Sequence, residues 1–115
     1  MMKPFFSILF MFNFLYALNI SPTFAADIEA GGVIFNSNCT ACHKGGNNAI
    51  VPAKTLKIED LKLYEMNSID AITKQVTNGK NGMPSFQGRL TVEDINNVAN
   101  YVLDTSQNNG WEEDD

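Results

Sequence analysis

The sequence predicts an all-α fold, because helical periodicity recurs along the chain and no long stretch alternates apolar and polar residues. Glycine, asparagine and proline are concentrated between the periodic segments, in residues 43–55 and 78–89, which we expect to be ordered loops. A chain of 115 residues has the size of one small domain. The expected architecture is therefore one helical domain whose helices are joined by two substantial loops.

The N-terminus has the composition of a secretory signal peptide. Lys3 precedes an apolar run over residues 5–18, and small residues follow up to Ala25. The run is shorter than the about 20 residues that a membrane-spanning helix needs, so stable membrane insertion is not expected. The sequence predicts cleavage after Ala25, which separates a leader over residues 1–25 from a mature domain over residues 26–115.

Four helices are predicted in the mature domain. The clearest covers about 92–106, where apolar residues recur at i, i+3, i+4, i+7 and i+8 and Thr91 opens a capping box, "TVED". Ser68 is predicted to cap a second helix, which ends before Gly79. The remaining two are expected at about 27–36 and at about 59–64.

Two adjacent glycines lie within the N-terminal helix. Gly31 and Gly32 each cost about 1 kcal/mol relative to alanine in a helix, so a compensating role is expected. We interpret them as the place where another helix approaches closely. The candidate partner is the C-terminal helix, through Val98, Tyr101 or Val102.

The stretch "NCTACHK" holds both cysteines of the chain and its one histidine. A C-x-x-C pair is compatible with a thioredoxin-like redox pair, a zinc site, an inert structural pair or covalent haem attachment. A redox pair prefers a βαβ context, and a zinc site needs more ligands than Cys39, Cys42 and His43 supply easily. The adjacent histidine and the predicted export favour haem attachment through both cysteines, with His43 as the proximal iron ligand.

The second axial position cannot be filled by histidine, because His43 is the only one. A methionine, an open site or, less often, a lysine remain possible. The mature domain has two methionines, Met66 and Met83. Met83 is favoured, because Pro84 and the neighbouring glycines place it in a loop that can turn towards the iron. Histidine and methionine together suit electron transfer, so the sequence indicates a carrier rather than an enzyme.

Several stretches of the mature domain strongly resemble cytochrome c6, the soluble c-type cytochrome of cyanobacteria and algal plastids. They are "ADIEAGGVIFNSNCTACHKGGNN", "QVTNGKNGMPSF" with Gly88 and Arg89, and "VANYVLD" followed by Trp111. The resemblance implies a cytochrome c fold of about four helices around one covalent haem c. It also implies that Cys39 and Cys42 form the thioethers and that His43 and Met83 bind the iron.

The same resemblance implies an electron carrier of photosynthesis in the thylakoid lumen, and we expect a monomer because many small carriers are monomers. Its partners would be cytochrome f of the cytochrome b6f complex, as donor, and photosystem I, as acceptor. Arg89 matches an arginine that contacts photosystem I in this family. Three features depart from the family pattern: Gly82, where many members carry alanine, Gln87, where glycine is expected, and the acidic extension beyond Trp111.

Charge and rival functions complete the sequence-based picture. Thirteen acidic and eight basic residues give a formal net charge of −5, which argues against nucleic acid as a partner. The nearest alternative function is a bacterial periplasmic cytochrome that donates to a terminal oxidase. Rivals of another class are a haem peroxidase or thiol oxidoreductase, and a gas sensor with an open iron site.

Overall fold

The structure, a computed structural model, describes residues 25–112. Within this range the chain is helical, with two isolated β-bridges and no strand, and the all-α prediction is therefore confirmed. The helices are α1 (Ile28–Asn38), α2 (Thr40–His43), α3 (Ile58–Leu63), α4 (Ile69–Asn78) and α5 (Val92–Gln107), and a 3₁₀ turn covers Lys44–Gly46. Residues 1–24 of the predicted leader and residues 113–115 of the acidic extension lie outside the described residues.

The four predicted helices agree with α1, α3, α4 and α5 to within two residues at each end. The sequence analysis missed α2 and the 3₁₀ turn, because segments of three or four residues are too short to show a helical period. The turn starts at Lys44, inside the segment 43–55 that was expected to be a loop. The backbone leaves helical geometry directly after the cysteine motif, since ψ of Lys44 is 133° and φ of Gly45 is +66°.

Capping hydrogen bonds fix the starts of the main helices. The hydroxyl of Ser68 accepts the Ala71 N–H at 3.1 Å. At α5 the hydroxyl of Thr91 accepts the Asp94 N–H at 3.0 Å, and the Asp94 carboxylate accepts the Thr91 N–H at 3.1 Å. Both predicted caps are confirmed, and each satisfies N–H groups that the first helical turn leaves unpaired.

The domain is organised by the crossing of α1 and α5, which pack closely at the two glycines of α1. A Cβ atom added at Gly31 would lie 2.2 Å from the Asn97 carbonyl oxygen, so only glycine fits there. Gly32 faces the ring of Tyr101. The predicted close approach through Tyr101 is therefore confirmed. The buried side chain of Asn97 adds a contact that was not predicted, since its oxygen accepts the Asp27 N–H at 3.0 Å.

The hydrophobic core lies between α1, α4 and α5. Its buried members are Phe35, Ile72, Val76, Phe86, Ile95, Val98, Ala99 and Val102. Most of them also line a large cavity beside the core. One side of the core thus faces the cavity instead of packing against another helix.

Candidate haem-binding site

The cysteine motif forms a single helical turn that begins at Cys39. The backbone N–H groups of Cys42 and His43 both donate to the Cys39 carbonyl, at 3.2 and 2.9 Å. Residues at i, i+3 and i+4 lie on the same face of a helix. The C-x-x-C-H spacing therefore places two thiols and one imidazole side by side along one wall of the cavity.

The tautomer of His43 follows from its hydrogen bond. Its Nδ1 atom lies 2.9 Å from the carbonyl oxygen of Asn47. A carbonyl oxygen can only accept, so Nδ1 must carry the proton and donate it. The lone pair of the neutral ring is then on Nε2, which is the nitrogen free to bind a metal.

Cys39 and Cys42 are not joined in a disulfide. Burial raises the pKa of the Cys39 thiol to about 11, so this group is protonated at neutral pH. Among residues 25–112 no cluster of three or more His, Cys, Asp or Glu side chains is arranged to hold a metal ion. The described part of the chain therefore offers no support for the zinc alternative.

Met83 is presented to the cavity by a tight turn. Lys80 and Met83 exchange two backbone hydrogen bonds, each 3.0 Å long, across the intervening residues Asn81 and Gly82. Both of these have positive φ, +50° and +90°, as a type I′ turn requires, and Asn-Gly is the favoured sequence for it. The amide of Gln75 then donates to the Met83 sulfur at 3.7 Å, which orients the thioether.

The cavity has a volume of about 460 Å³ and is lined by all four residues predicted to hold the haem, Cys39, Cys42, His43 and Met83. That volume lies within the range of about 300–1,000 Å³ that is usual for small-molecule and cofactor sites. Its walls are largely apolar and its donor set is two thiols, an imidazole and a thioether, which is the chemistry of covalent haem attachment with two axial ligands. The residues present therefore fit a haem.

Both candidate methionines line this cavity. Met66 follows α3, where its backbone N–H donates to the Leu61 carbonyl at 2.7 Å. The Met83 sulfur accepts a hydrogen bond from the side chain of Gln75, and within residues 25–112 the Met66 sulfur accepts none. That contact favours Met83, whose role as the second axial ligand stays a prediction.

The exposed rim of the cavity combines apolar and basic residues. The exposed apolar groups include Ile50 and Pro84, from the loops on either side. Lys54, Lys80 and Arg89 contribute positive charge. The rim thus carries a local excess of positive charge, although the whole chain has a net charge of −5.

Arg89 is anchored at this rim. Its guanidinium lies 4.9 Å from the centroid of the Phe86 ring, a cation–π contact. Phe86 is buried in the core, so the arginine packs on a rigid support while remaining exposed.

The cavity lining also includes one carboxylate, Asp60. It accepts a hydrogen bond from the Thr55 hydroxyl at 2.5 Å, and this bond occupies one of its oxygens.

Two site residues were not found from the sequence. Asn47 acts through its carbonyl, which no side-chain pattern can reveal. Gln75 carried a signal that could have been used: it is three residues after Ile72 and one before Val76, so it lies on the inward face of α4. A polar residue on an otherwise apolar helix face indicates a partner inside.

Comparison with known proteins agrees with this geometry. A family model described as "Cytochrome C oxidase, cbb3-type, subunit III" matches residues 26–102. Cytochrome c6 from Gracilaria tenuistipitata var. liui is 59% identical over 102 residues, which cover 89% of this chain and 94% of the relative. Cytochrome c6 from Porphyra purpurea is 55% identical over 111 residues, covering 96% and 100%.

Solved structures give the same result. Cytochrome c6 from the diatom Phaeodactylum tricornutum superposes with a TM-score of 0.69 at 50% identity, covering 72% of this chain and 98% of that one. The chain belongs to the cytochrome c6 family. Family membership establishes a haem-binding protein of electron transport with a class I cytochrome c fold. No helix in the described part of the chain is long and apolar enough to cross a membrane.

Proposed function

We propose that the protein carries single electrons through one covalently attached haem c. Cys39 and Cys42 would form the two thioether bonds, and His43 and Met83 would be the axial ligands of the iron. The observation that carries the proposal is the convergence of these four side chains on one apolar cavity of about 460 Å³.

When bound, the haem supplies a one-electron redox couple. The protein's own groups set the conditions for it. Ligation by both His43 and Met83 would leave no position for oxygen or peroxide, which excludes peroxidase and gas-sensor chemistry. The apolar wall that includes Phe35 and Val98 keeps water away, and this favours the less charged, reduced state. The thioether is held in place by Gln75.

We further propose the photosynthetic role that the resemblance implies. The protein would accept electrons from cytochrome f of the cytochrome b6f complex and reduce photosystem I in the thylakoid lumen. A signal peptide over residues 1–25 would direct it to the lumen and be removed, which leaves a monomer over residues 26–115. The naming of the relatives as cytochrome c6 supports this role.

The rim of the cavity is the proposed docking surface. Ile50 and Pro84 offer apolar contact beside the site, and Lys54, Lys80 and Arg89 offer positive charge. A local basic patch on an acidic protein steers the cavity mouth towards an acidic partner surface. The anchoring of Arg89 on Phe86 reduces the side-chain entropy lost on docking.

A redox titration of the holo-protein, read by its visible spectrum, tests the ligands. Met83→Leu removes a thioether and keeps the apolar volume, and Met66→Leu is the matched control in the same cavity. We expect a strongly positive midpoint potential and a low-spin spectrum in the natural protein and in Met66→Leu. Met83→Leu should lower the potential and open the iron to added imidazole. Unchanged spectra in Met83→Leu would reject this ligand assignment.

Reduction of photosystem I after a light flash tests the partner. Arg89→Gln should slow the reaction and weaken its dependence on salt. Lys74→Gln, an exposed charge on α4 outside the cavity lining, should change neither. The description of the matching family model favours the oxidase as the alternative acceptor. Rapid transfer to a terminal oxidase, with none to photosystem I, would replace the photosynthetic proposal with that one.

A further inference from the structure

The one tryptophan of the chain, Trp111, folds back from the end of α5 onto the segment that follows the cysteine motif. Its indole lies against Gly46 so closely that an added Cβ there would be 2.6 Å from two ring atoms. On its other side the indole packs against Phe35, with ring centroids 5.2 Å apart. Trp111 is thus held between the core and the 3₁₀ turn at Lys44–Gly46.

Hydrogen bonds make this contact directional. The indole N–H of Trp111 donates to the Leu56 carbonyl at 3.1 Å. The backbone N–H of Leu56 in turn donates to the Gly46 carbonyl at 2.7 Å. The hydroxyl of Ser106, near the end of α5, donates to the same Leu56 carbonyl at 2.6 Å. The C-terminal segment therefore closes the base of the loop that runs from Gly46 to Leu56.

The base of this loop is adjacent to the carbonyl that accepts the hydrogen bond from Nδ1 of His43. Gly46 precedes Asn47, whose carbonyl oxygen lies 2.9 Å from Nδ1 of His43. We propose that Trp111 is a positioning residue for His43, which acts by fixing Gly46 and so the Asn47 carbonyl. The proposal rests on the proposed role of His43 as an axial ligand, and it concerns a residue that lies outside the cavity lining.

The physical effect has a definite sign. Donation of the Nδ1 proton to a carbonyl makes Nε2 a stronger ligand, which favours the oxidised, more highly charged iron. Release of this bond therefore raises the midpoint potential. General loosening that admits water has the opposite effect, because water also favours the more highly charged state. The direction of the shift consequently separates a positioning role from a merely structural one.

The test uses the holo-protein with Trp111→Ala and Trp111→Phe. Phenylalanine keeps an aromatic ring beside Gly46 but loses the indole N–H and part of the ring area. Asn97→Ala is the control, since it weakens the α1–α5 crossing through loss of the hydrogen bond to the Asp27 N–H and does not act on the loop. The measurements are the midpoint potential, the solvent exchange of the His43 Nδ1 proton by NMR in the reduced protein, and unfolding in guanidinium.

We expect the His43 Nδ1 proton of Trp111→Ala to exchange about tenfold faster, the factor that loss of one ordinary hydrogen bond gives. Its midpoint potential should shift upwards, and that of Trp111→Phe less so in the same direction. Asn97→Ala should lower stability without either change. A downward shift, or an effect of Trp111→Phe and Trp111→Ala no larger than that of Asn97→Ala, would overturn the proposal.

The outcome also distinguishes this inference from the proposed function. Should the natural reduced protein show no ring resonances of an axial histidine, His43 is not a ligand and both proposals fail. If those resonances are present and the tryptophan variants leave them unmoved, the positioning role alone is wrong. Should Trp111→Ala not fold, Trp111→Phe decides the question.

Discussion

The replacement of Gly31 by alanine tests how closely α1 and α5 cross. Two opposing effects on stability act at this residue. Alanine is favoured over glycine in a helix by about 1 kcal/mol. Its Cβ would however lie 2.2 Å from the Asn97 carbonyl oxygen and 2.9 Å from Cβ of Tyr101. These are backbone and near-backbone atoms, which cannot rotate away. The helices must separate, at a typical overpacking cost of about 1–3 kcal/mol that we expect to exceed the gain.

Gly32→Ala is a matched control one residue along the same helix. Its Cβ would lie 3.1 Å from Cε2 of Tyr101, at the far end of a side chain that can shift by a few tenths of an ångström. The helix-propensity gain should therefore survive, and Gly32→Ala should be neutral or more stable.

Guanidinium unfolding of the two holo-variants, followed by circular dichroism, measures the difference. We expect Gly31→Ala to be the less stable of the pair by about 2 kcal/mol or more. Its m-value should stay unchanged, since the same surface is exposed on unfolding. Equal stability of the two variants would show that α1 and α5 do not cross as closely as the structure has them.

Three further predictions concern single contacts. Gln75→Leu removes the hydrogen bond to the Met83 sulfur. The sulfur then donates more strongly to the oxidised iron, so a redox titration should give a lower midpoint potential. Asn97→Ala leaves the Asp27 N–H without its partner and should cost about 1–2 kcal/mol in guanidinium unfolding. In a Cys42→Ser chain prepared without haem, which we expect to be unfolded, alkylation of Cys39 should follow the ordinary thiol pKa of 9.0. A profile shifted towards 11 would mean that the fold forms without haem. The free energy of unfolding of such a fold would fall as the pH rises from 9 to 11, because the Cys39 thiol ionises first in the unfolded chain.

The helices could be predicted from the sequence because their signals are local. The α5 helix carries apolar periodicity over its whole length and a capping box at Thr91, and both the period and the cap appear in the structure. The glycine pair of α1 also gave a correct contact, since glycine in a helix needs a reason. Where a pattern of residues and its physical cause lie within one helix, sequence reasoning is sufficient.

The contacts that close the site could not be predicted in this way. Asn47 serves His43 through its backbone, and Leu56 serves Trp111 through its backbone, so neither side chain carries the information. The turn at Lys80–Met83 lies between these cases. Asn-Gly indicates a type I′ turn, but the sequence was interpreted there only as an ordered loop without a defined turn. A carbonyl acceptor is chosen by the three-dimensional course of the chain, which a residue pattern does not contain.

The position of Leu61 shows why the cavity matters for folding as well as for redox chemistry. Leu61 on α3 is buried, with 4% of its surface exposed, yet it does not belong to the hydrophobic core between α1, α4 and α5. It lines the cavity, as Phe35 and Val98 do from the core side. An apolar group that fills this cavity would therefore join α3 to the core. Without that group, the apolar walls would face water and α3 would have little to pack on, so the proposed haem is expected to be part of the core itself.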